Sequence, residues 1–206
     1  MPDKALLAMM TVALRWGLPH IALLLAVGFF GLLRVHELRW LRFGSFLTPS
    51  RLLSDDQVLF VVIERPKMRR LAARRSYTRI DDVGIVQFAE GFVCQFPPEQ
   101  LLFNGTYLEL SKAFKSICGE LGLPHGVPQG LTLGSLRPGG ATWLYRVTDN
   151  SELVRFRGRW ASSRMLEIYI QEVGAASIVP GLSSAVRERL FAARRLRAAG
   201  ARPCSS

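Results

Sequence analysis

Apolar residues along this chain recur mostly at the spacing of α-helices, with one stretch that follows a different pattern. The stretch VLFVVI at residues 58–63 is rich in β-branched and aromatic side chains and predicts a buried strand. Residues 70–79 are expected to return as a second strand. The remaining periodic segments predict helices over residues 5–15, 17–31, 34–41, 83–93, 106–121, 136–147 and 182–199. Two more helices are expected: one that runs through Phe156, and one that begins at a cap formed by Ser162 or Ser163. The chain is therefore expected to be mainly α, with a small antiparallel β-hairpin or sheet.

Polar residues mark several of the expected helix starts. Asp81 and Asp82 precede the helix over residues 83–93, and Asp149 precedes the helix that runs through Phe156. Aspartate at such a position accepts hydrogen bonds from backbone N–H groups that have no partner inside the helix. We therefore expect these aspartates to act as N-caps.

The most apolar run, IALLLAVGFFGLL at residues 21–33, has two readings. A helix that spans a bilayer needs about 20 apolar residues, whereas a run of 10 to 14 more often marks a core helix. The run has 13 residues, so we expect a core helix. The flanking residues do not have the order of a secretory signal peptide. A small basic membrane-associated protein remains the alternative that this run leaves open.

Composition favours a polyanionic partner. Lys and Arg number 27 against 16 Asp and Glu, which gives a formal net charge of +11, and a folded domain this basic usually binds nucleic acid or, less often, an anionic membrane surface. Cys94, Cys118 and Cys204 are odd in number and contain no C-x-x-C pair, which argues against a disulfide framework and a zinc site. A reducing compartment, cytoplasm or nucleus, fits this cysteine usage.

Three local strings hold the residues that suggest chemistry. GLLRVHEL contains Arg34, and SLRPGGAT contains Arg137 at the start of a predicted helix. GRWASSRMLEIY places Trp160 nine residues before Tyr169. In this order, and with Lys67 at the turn of the predicted hairpin, the strings resemble the catalytic domain of the tyrosine recombinases, the phage integrase family. The resemblance spans about residues 15–175.

The resemblance implies a tyrosine recombinase catalytic-domain fold and DNA strand cleavage and rejoining without a metal or other cofactor. Two arginines, Arg34 and Arg137, would clamp the nonbridging oxygens of one phosphate, because guanidinium is a planar fork that stays charged. Tyr169 would attack the phosphorus and form a 3′-phosphotyrosyl link. Lys67 would protonate the departing 5′ oxygen, and Trp160 would donate its indole N–H to a phosphate oxygen.

Other residues are expected to support this site or to contact DNA. Glu37, one helical turn after Arg34, is expected to be a structural partner of a nearby arginine or backbone group. The resemblance further implies double-stranded DNA as partner, site-specific recombination or integration of mobile-element origin, and homo-oligomerisation on DNA through the helix over residues 182–199. Candidate DNA-binding residues are Arg69, Arg70, Arg74 and Arg159.

The sequence departs from the family's pattern at two places. The family's H-x-L-R string begins with His, and Gly134 stands there in this chain. A general acid or base contributes about 10²–10⁴-fold in rate, so a catalytically inactive DNA-binding relic is the alternative to an enzyme. The family also carries a helical DNA-clamp domain before the catalytic one. We expect residues 1–180 to form a catalytic-type domain without that clamp, and residues 181–206 to form a basic C-terminal helix and tail.

Overall fold

The structure of the protein is a computed structural model, which describes residues 1–64, 76–126, 130–162, 164, 166, 182–188 and 192. Within them the chain is mainly helical. The helices are α1 (Asp3–Arg15), α2 (Pro19–Phe30), α3 (Val35–Leu38), α4 (Pro49–Leu52), α5 (Val83–Val93), α6 (Tyr107–Glu120), α7 (Leu136–Thr148) and α8 (Ser151–Gly158), with 3-10 turns at Phe43–Ser45 and Leu133–Ser135.

The strands that the structure describes form one antiparallel sheet in the order β1 (Phe46–Leu47), β2 (Leu59–Ile63) and β3 (Ser76–Ile80). The hairpin of β2 and β3 confirms the two predicted strands, although residues 70–75 lie outside the described residues. Alternate residues of β2 are buried, so one face of the sheet covers the core. The two-residue strand β1 and the single-turn helix α4 were not predicted.

Helix α2 lies at the centre of the core. Every residue from Ile21 to Phe30 is buried, and α1, α5 and α7 pack around the helix. The apolar run therefore forms a core helix, as its length predicts. Among the residues that the structure describes, no helix is long and apolar enough to cross a membrane.

Close contact between α2 and α7 depends on a glycine. A Cβ built on Gly140 would lie 1.9 Å from the backbone oxygen of Phe29 and 2.8 Å from a side-chain carbon of Leu32. Any side chain at Gly140 would therefore force the two helices apart. Beside this contact, a second apolar cluster forms from Leu32, Ala141, Val154, Trp160 and Leu166.

Of the three aspartates predicted as N-caps, one caps a helix. The prediction for Asp81 was wrong, because its side chain pairs with Arg79 and Arg157 instead. Asp82 caps α5, accepting a hydrogen bond from the Ile85 backbone N–H at 3.1 Å. The prediction for Asp149 was wrong: Asp149 ends α7 in the left-handed conformation, at φ 47°. The N-cap of α8 is Asn150, whose Oδ1 accepts from the Leu153 backbone N–H at 2.9 Å. Adjacent Asx residues are both plausible caps, and the end of α7 decides between them.

One buried hydrogen bond joins the sheet to the end of α2. The hydroxyl of Thr78, on β3, donates to the backbone carbonyl of Gly31 at 2.7 Å. Gly31 ends α2, and Arg34 follows three residues later. The bond therefore fixes the base of the β2–β3 hairpin beside the segment that carries Arg34.

Candidate active site

Arg34 precedes α3 and is held by a carboxylate on that helix. Glu37 accepts two hydrogen bonds from Arg34, one from its backbone N–H at 2.8 Å and one from Nη1 at 3.3 Å. The residue is 2% exposed, and its side chain is fully buried. These contacts confirm the prediction that Glu37 pairs with an arginine and a backbone group. The Arg34 side chain remains partly exposed, so solvent reaches its guanidinium while Glu37 fixes the orientation of the group.

A second arginine from a distant part of the chain reaches the same carboxylate. Nη2 of Arg159 lies 2.8 Å from Oε2 of Glu37, across 122 positions of sequence, and it also contacts the backbone carbonyl of Leu32 at 3.4 Å. Arg159 ends α8, and its side chain is 16% exposed. Glu37 therefore ties the α2–α3 junction to the segment that follows α8.

Arg137 contacts Trp160 and Gly158, in the segment that follows α8. Arg137, in the first turn of α7, donates from Nη2 to the backbone carbonyl of Gly158, and its guanidinium carbon lies 4.6 Å from the centre of the Trp160 ring. This separation is typical of a cation–π contact. Both residues are buried, at 5% and 4% exposure. Arg137 thereby holds Trp160 in place by a contact to the ring and a contact to the backbone two residues earlier.

Gly158 is required by the position of the Trp160 ring. A Cβ built on Gly158 would lie 1.5 Å from Cζ3 of Trp160, so the ring lies directly against the glycine. Arg155 also contacts this segment, since its Nη1 lies 3.4 Å from the backbone carbonyl of Trp160. The string GRW is therefore held by Arg137 and Arg155, and its own Arg159 is held by Glu37.

The electrostatics of the site favour an added anion. Burial lowers the pKa of Arg159 below its usual value, and the nearby Arg34 charge lowers it further, while Glu37 acts in the opposite direction. Among the residues that the structure describes, Nε and Nη1 of Arg159 are buried and have no hydrogen-bond partner. The guanidinium groups of Arg34 and Arg159 thus share one carboxylate, that of Glu37. Positive charge in such excess, partly withdrawn from water, attracts phosphate or carboxylate.

The structure brings together three of the five predicted catalytic residues. Arg137 and Trp160 contact each other directly, and Arg34 is linked to them through Glu37 and Arg159. Trp160 is stacked and buried, and donation of its N–H to a phosphate stays a prediction. Lys67 and Tyr169 lie outside the described residues, as do the predicted DNA contacts Arg69, Arg70 and Arg74.

Gly134, at the position of the family's histidine, lies exposed in the 3-10 turn before α7. A Cβ built there meets only the hydroxyl oxygen of Thr132, at 3.3 Å. Its φ lies outside the left-handed region, so the backbone accepts a residue with a side chain. The space and backbone at Gly134 therefore fit a larger residue, with a small movement of Thr132.

Another charged cluster lies at the same end of α8, around Arg157, and was not predicted. Arg157 reaches Asp81 at 2.8 Å and the backbone carbonyl of Arg79 at 3.1 Å, and Arg79 also pairs with Asp81. Burial alone would raise the pKa of Asp81, but the hydrogen bonds and charges of the two arginines outweigh it and lower that pKa. This cluster joins α8 to β3 by way of Asp81 and the backbone carbonyl of Arg79. Its role is structural.

The class of fold follows from the architecture. A mainly helical chain with a small three-stranded antiparallel sheet matches the catalytic domains of tyrosine recombinases among solved structures. Two of these structures are complexes of the XerH site-specific recombinase. One is bound to its difH substrate before cleavage; it has a TM-score of 0.62 and 18% sequence identity, and the match covers 86% of this chain and 51% of that chain. The other is bound to a palindromic difH substrate after cleavage; it has a TM-score of 0.61 and 18% sequence identity, and the match covers 82% of this chain and 48% of that chain.

These structural similarities support the fold and not the activity. At 18% identity they show the fold alone, and the chain spans about half the length of the XerH recombinase. No known protein family matches the sequence, and no curated protein is significantly similar to it. The predicted fold is therefore confirmed, and the activity rests on the residues of the site.

Proposed function

We propose that the protein cleaves and rejoins DNA strands through a 3′-phosphotyrosyl intermediate on Tyr169. The observation that carries the proposal is the convergence of Arg34 and Arg137 on the segment Gly158–Trp160. Arg137 contacts this segment directly, and Arg34 is joined to it through Glu37 and Arg159. Tyr169 follows Trp160 by nine residues, as in the tyrosine recombinases whose fold the chain shares.

In the proposed reaction the phenol oxygen of Tyr169 forms a bond to the phosphorus, and the bond from phosphorus to the 5′ oxygen breaks. The phenol loses its proton to water, and Lys67 supplies one to the departing 5′ oxygen. Rejoining reverses both steps, so the energy of the phosphodiester is kept in the protein–DNA bond and no external energy source is required. The charge that develops on the two nonbridging oxygens is matched by the guanidinium groups of Arg34 and Arg137.

The site's arrangement supports this assignment in two ways. Arg34 is partly exposed while its donors are fixed by Glu37, so it is ready to meet a ligand without losing further side-chain freedom. Arg34 and Arg159 share one carboxylate, and this net positive charge suits a phosphodiester, which carries one negative charge and offers two free oxygens. Double-stranded DNA is accordingly the proposed substrate.

A second candidate is a DNA-binding protein that no longer cuts, and Gly134 favours it. A glycine offers no acid or base, and loss of such a group costs about 10²–10⁴-fold in rate, or about 3–5 kcal/mol in the barrier. The arginines would still bind phosphate. This candidate therefore shares the DNA affinity of the first and differs from it only in the covalent step.

The wider setting follows from the proposal. We propose that the protein acts inside the cell, in site-specific recombination or integration, with an origin in a mobile element. Several copies would assemble on DNA, with the helix over residues 182–199 as the candidate contact. Of that segment the structure describes residues 182–188 and 192 only.

Covalent capture of DNA tests the proposal. Purified protein is mixed with a pool of nicked duplexes of randomised sequence, which release a short fragment on cleavage and so prevent rejoining; captured DNA is isolated on a denaturing gel and sequenced. The wild-type protein and the control Tyr107→Phe, an exposed phenol at the start of α6, should both form adducts. Tyr169→Phe should form none while its DNA affinity is unchanged. Equal capture by Tyr169→Phe would refute the mechanism, and binding without any capture would favour the inactive DNA binder.

A further inference from the structure

We propose that Arg159 is a positioning residue that fixes Arg34 for phosphate binding by way of Glu37. The inference rests on the proposed function and extends it to a residue that does not itself have to touch DNA. The prediction from sequence was a direct DNA contact, and the contacts of the side chain suggest a different role. Its charged group is directed at a buried carboxylate inside the protein.

The backbone of Arg159 has a conformation that favours glycine over a residue with a side chain. Arg159 has φ 57°, in the left-handed region, at the C-terminal end of α8. Glycine is the usual residue at such an end, because a side chain makes the left-handed conformation unfavourable. The residue whose carbonyl Arg159 contacts, Leu32, is itself left-handed, at φ 51°. Two unfavourable backbone conformations therefore meet at this one guanidinium.

The carboxylate of Glu37 is divided between the two arginines. Oε2 accepts from the backbone N–H of Arg34 and from Nη2 of Arg159, both at 2.8 Å, while Oε1 accepts from Nη1 of Arg34 at 3.3 Å. A carboxylate held on one oxygen by Arg159 cannot rotate, so its other oxygen is presented to Arg34 in a fixed direction. Among the bonds to this carboxylate in the described part of the chain, those that would remain without Arg159 both come from Arg34 itself.

The same guanidinium also links the two halves of the site. Arg159 is the neighbour in sequence of Trp160, whose ring contacts Arg137 at 4.6 Å. Holding Arg159 against α3 therefore sets the distance between the Arg34 side of the site and the Arg137 side. Arg34 and Arg137 must bind the same phosphate, so the distance between them has to be fixed. A displacement of a binding group by about 1 Å costs about 10²-fold in rate.

Three variants test the inference. Arg159→Gly removes the guanidinium and relieves the left-handed backbone, so it deletes the side chain without adding strain. Arg159→Lys keeps the charge and loses the planar fork. Arg157→Ala is the matched control: it is an arginine of the same helix with similar exposure (18%) and an ion pair to an acid, Asp81, at 2.8 Å.

Two readouts are compared on DNA captured by the wild-type protein. We expect Arg159→Gly to lower the rate of covalent capture by about 10–100-fold, with the Kd for uncleaved DNA unchanged, and Arg159→Lys to recover part of the rate. Arg157→Ala should match the wild type in both. A wild-type rate for Arg159→Gly, or a loss of DNA affinity as large as the loss of rate, would overturn the inference.

A third readout separates the inference from the proposed function. The side-chain N–H signals of Arg34 are followed by ¹⁵N NMR in the protein without DNA. They should shift and exchange faster in Arg159→Gly and Arg159→Lys, and stay unchanged in Arg157→Ala. If the wild-type protein captures no DNA, the proposed function fails and this readout still decides the inference, which an unchanged Arg34 signal would refute.

Discussion

Replacement of Gly140 by alanine is the sharpest test of how the core supports the site. The added Cβ would lie 1.9 Å from the Phe29 carbonyl oxygen, and ordinary contact begins at 3.4 Å, so α7 must move away from α2 by about 1.5 Å. Overpacking of this kind costs about 1–3 kcal/mol, occasionally more, and the clash with a rigid backbone places it at the upper end. The better helix propensity of alanine returns about 0.5–1 kcal/mol. We expect a net loss of about 2 kcal/mol.

The chain offers a control of opposite sign. Gly91, in α5, is an exposed helical glycine with no atom within 4 Å of an added Cβ, so Gly91→Ala should raise the free energy of unfolding by about 0.5–1 kcal/mol. Urea unfolding followed by circular dichroism measures both variants. Gly140→Ala should also weaken DNA capture, because Arg137 lies one turn away on the same helix. A Gly140→Ala protein as stable as the wild type would show that α2 and α7 do not pack as described.

Three further predictions follow from individual side chains. Gly134→His should raise the rate of DNA capture by up to about 10²-fold, measured in single-turnover assays; no gain would place any defect elsewhere than at the missing acid or base. Burial raises the pKa of the Cys118 thiol to about 12, so at pH 8 a thiol reagent should modify exposed Cys94 and leave Cys118 unmodified until the protein unfolds, as site-resolved mass spectrometry would show. Asp81→Asn should lower the free energy of unfolding by at most about 1 kcal/mol at pH 7, because the ion pairs are half exposed. A lowered pKa stabilises above the unfolded value, so this difference should fade as the pH falls below about 4 in urea titrations, and a pH-independent difference would contradict it.

The helices and the main hairpin were predictable because their signals are local. Apolar periodicity located α5, α6 and α7 closely, and the β-branched run at residues 58–63 located β2. Strand β1 has two residues and α4 one turn, too short for any periodicity to develop. The choice between Asp149 and Asn150 as a cap was set by the geometry of the preceding helix end, which the sequence does not specify.

The site was predictable only where its residues fall in recognisable strings. Arg34, Arg137 and Trp160 were found from such strings, and Glu37 from its distance of one helical turn to Arg34. The pairing of Arg159 with Glu37 spans 122 positions, and no local sequence pattern indicates a contact between residues so far apart in the chain. Arg159 taken alone is a surface cation beside a tryptophan, and only its pairing with Glu37 in the folded chain shows that it is directed inward.

The bond from the Thr78 hydroxyl to the Gly31 carbonyl has a mechanical consequence. It joins a strand of the hairpin, whose connecting segment contains Lys67, to the junction that carries Arg34. Strand β3 and the segment that carries Arg34 are thereby coupled, so a displacement of the base of the hairpin would also displace Arg34. Thr78→Val would remove this bond, so the base of the hairpin and the Arg34 segment could move independently of each other.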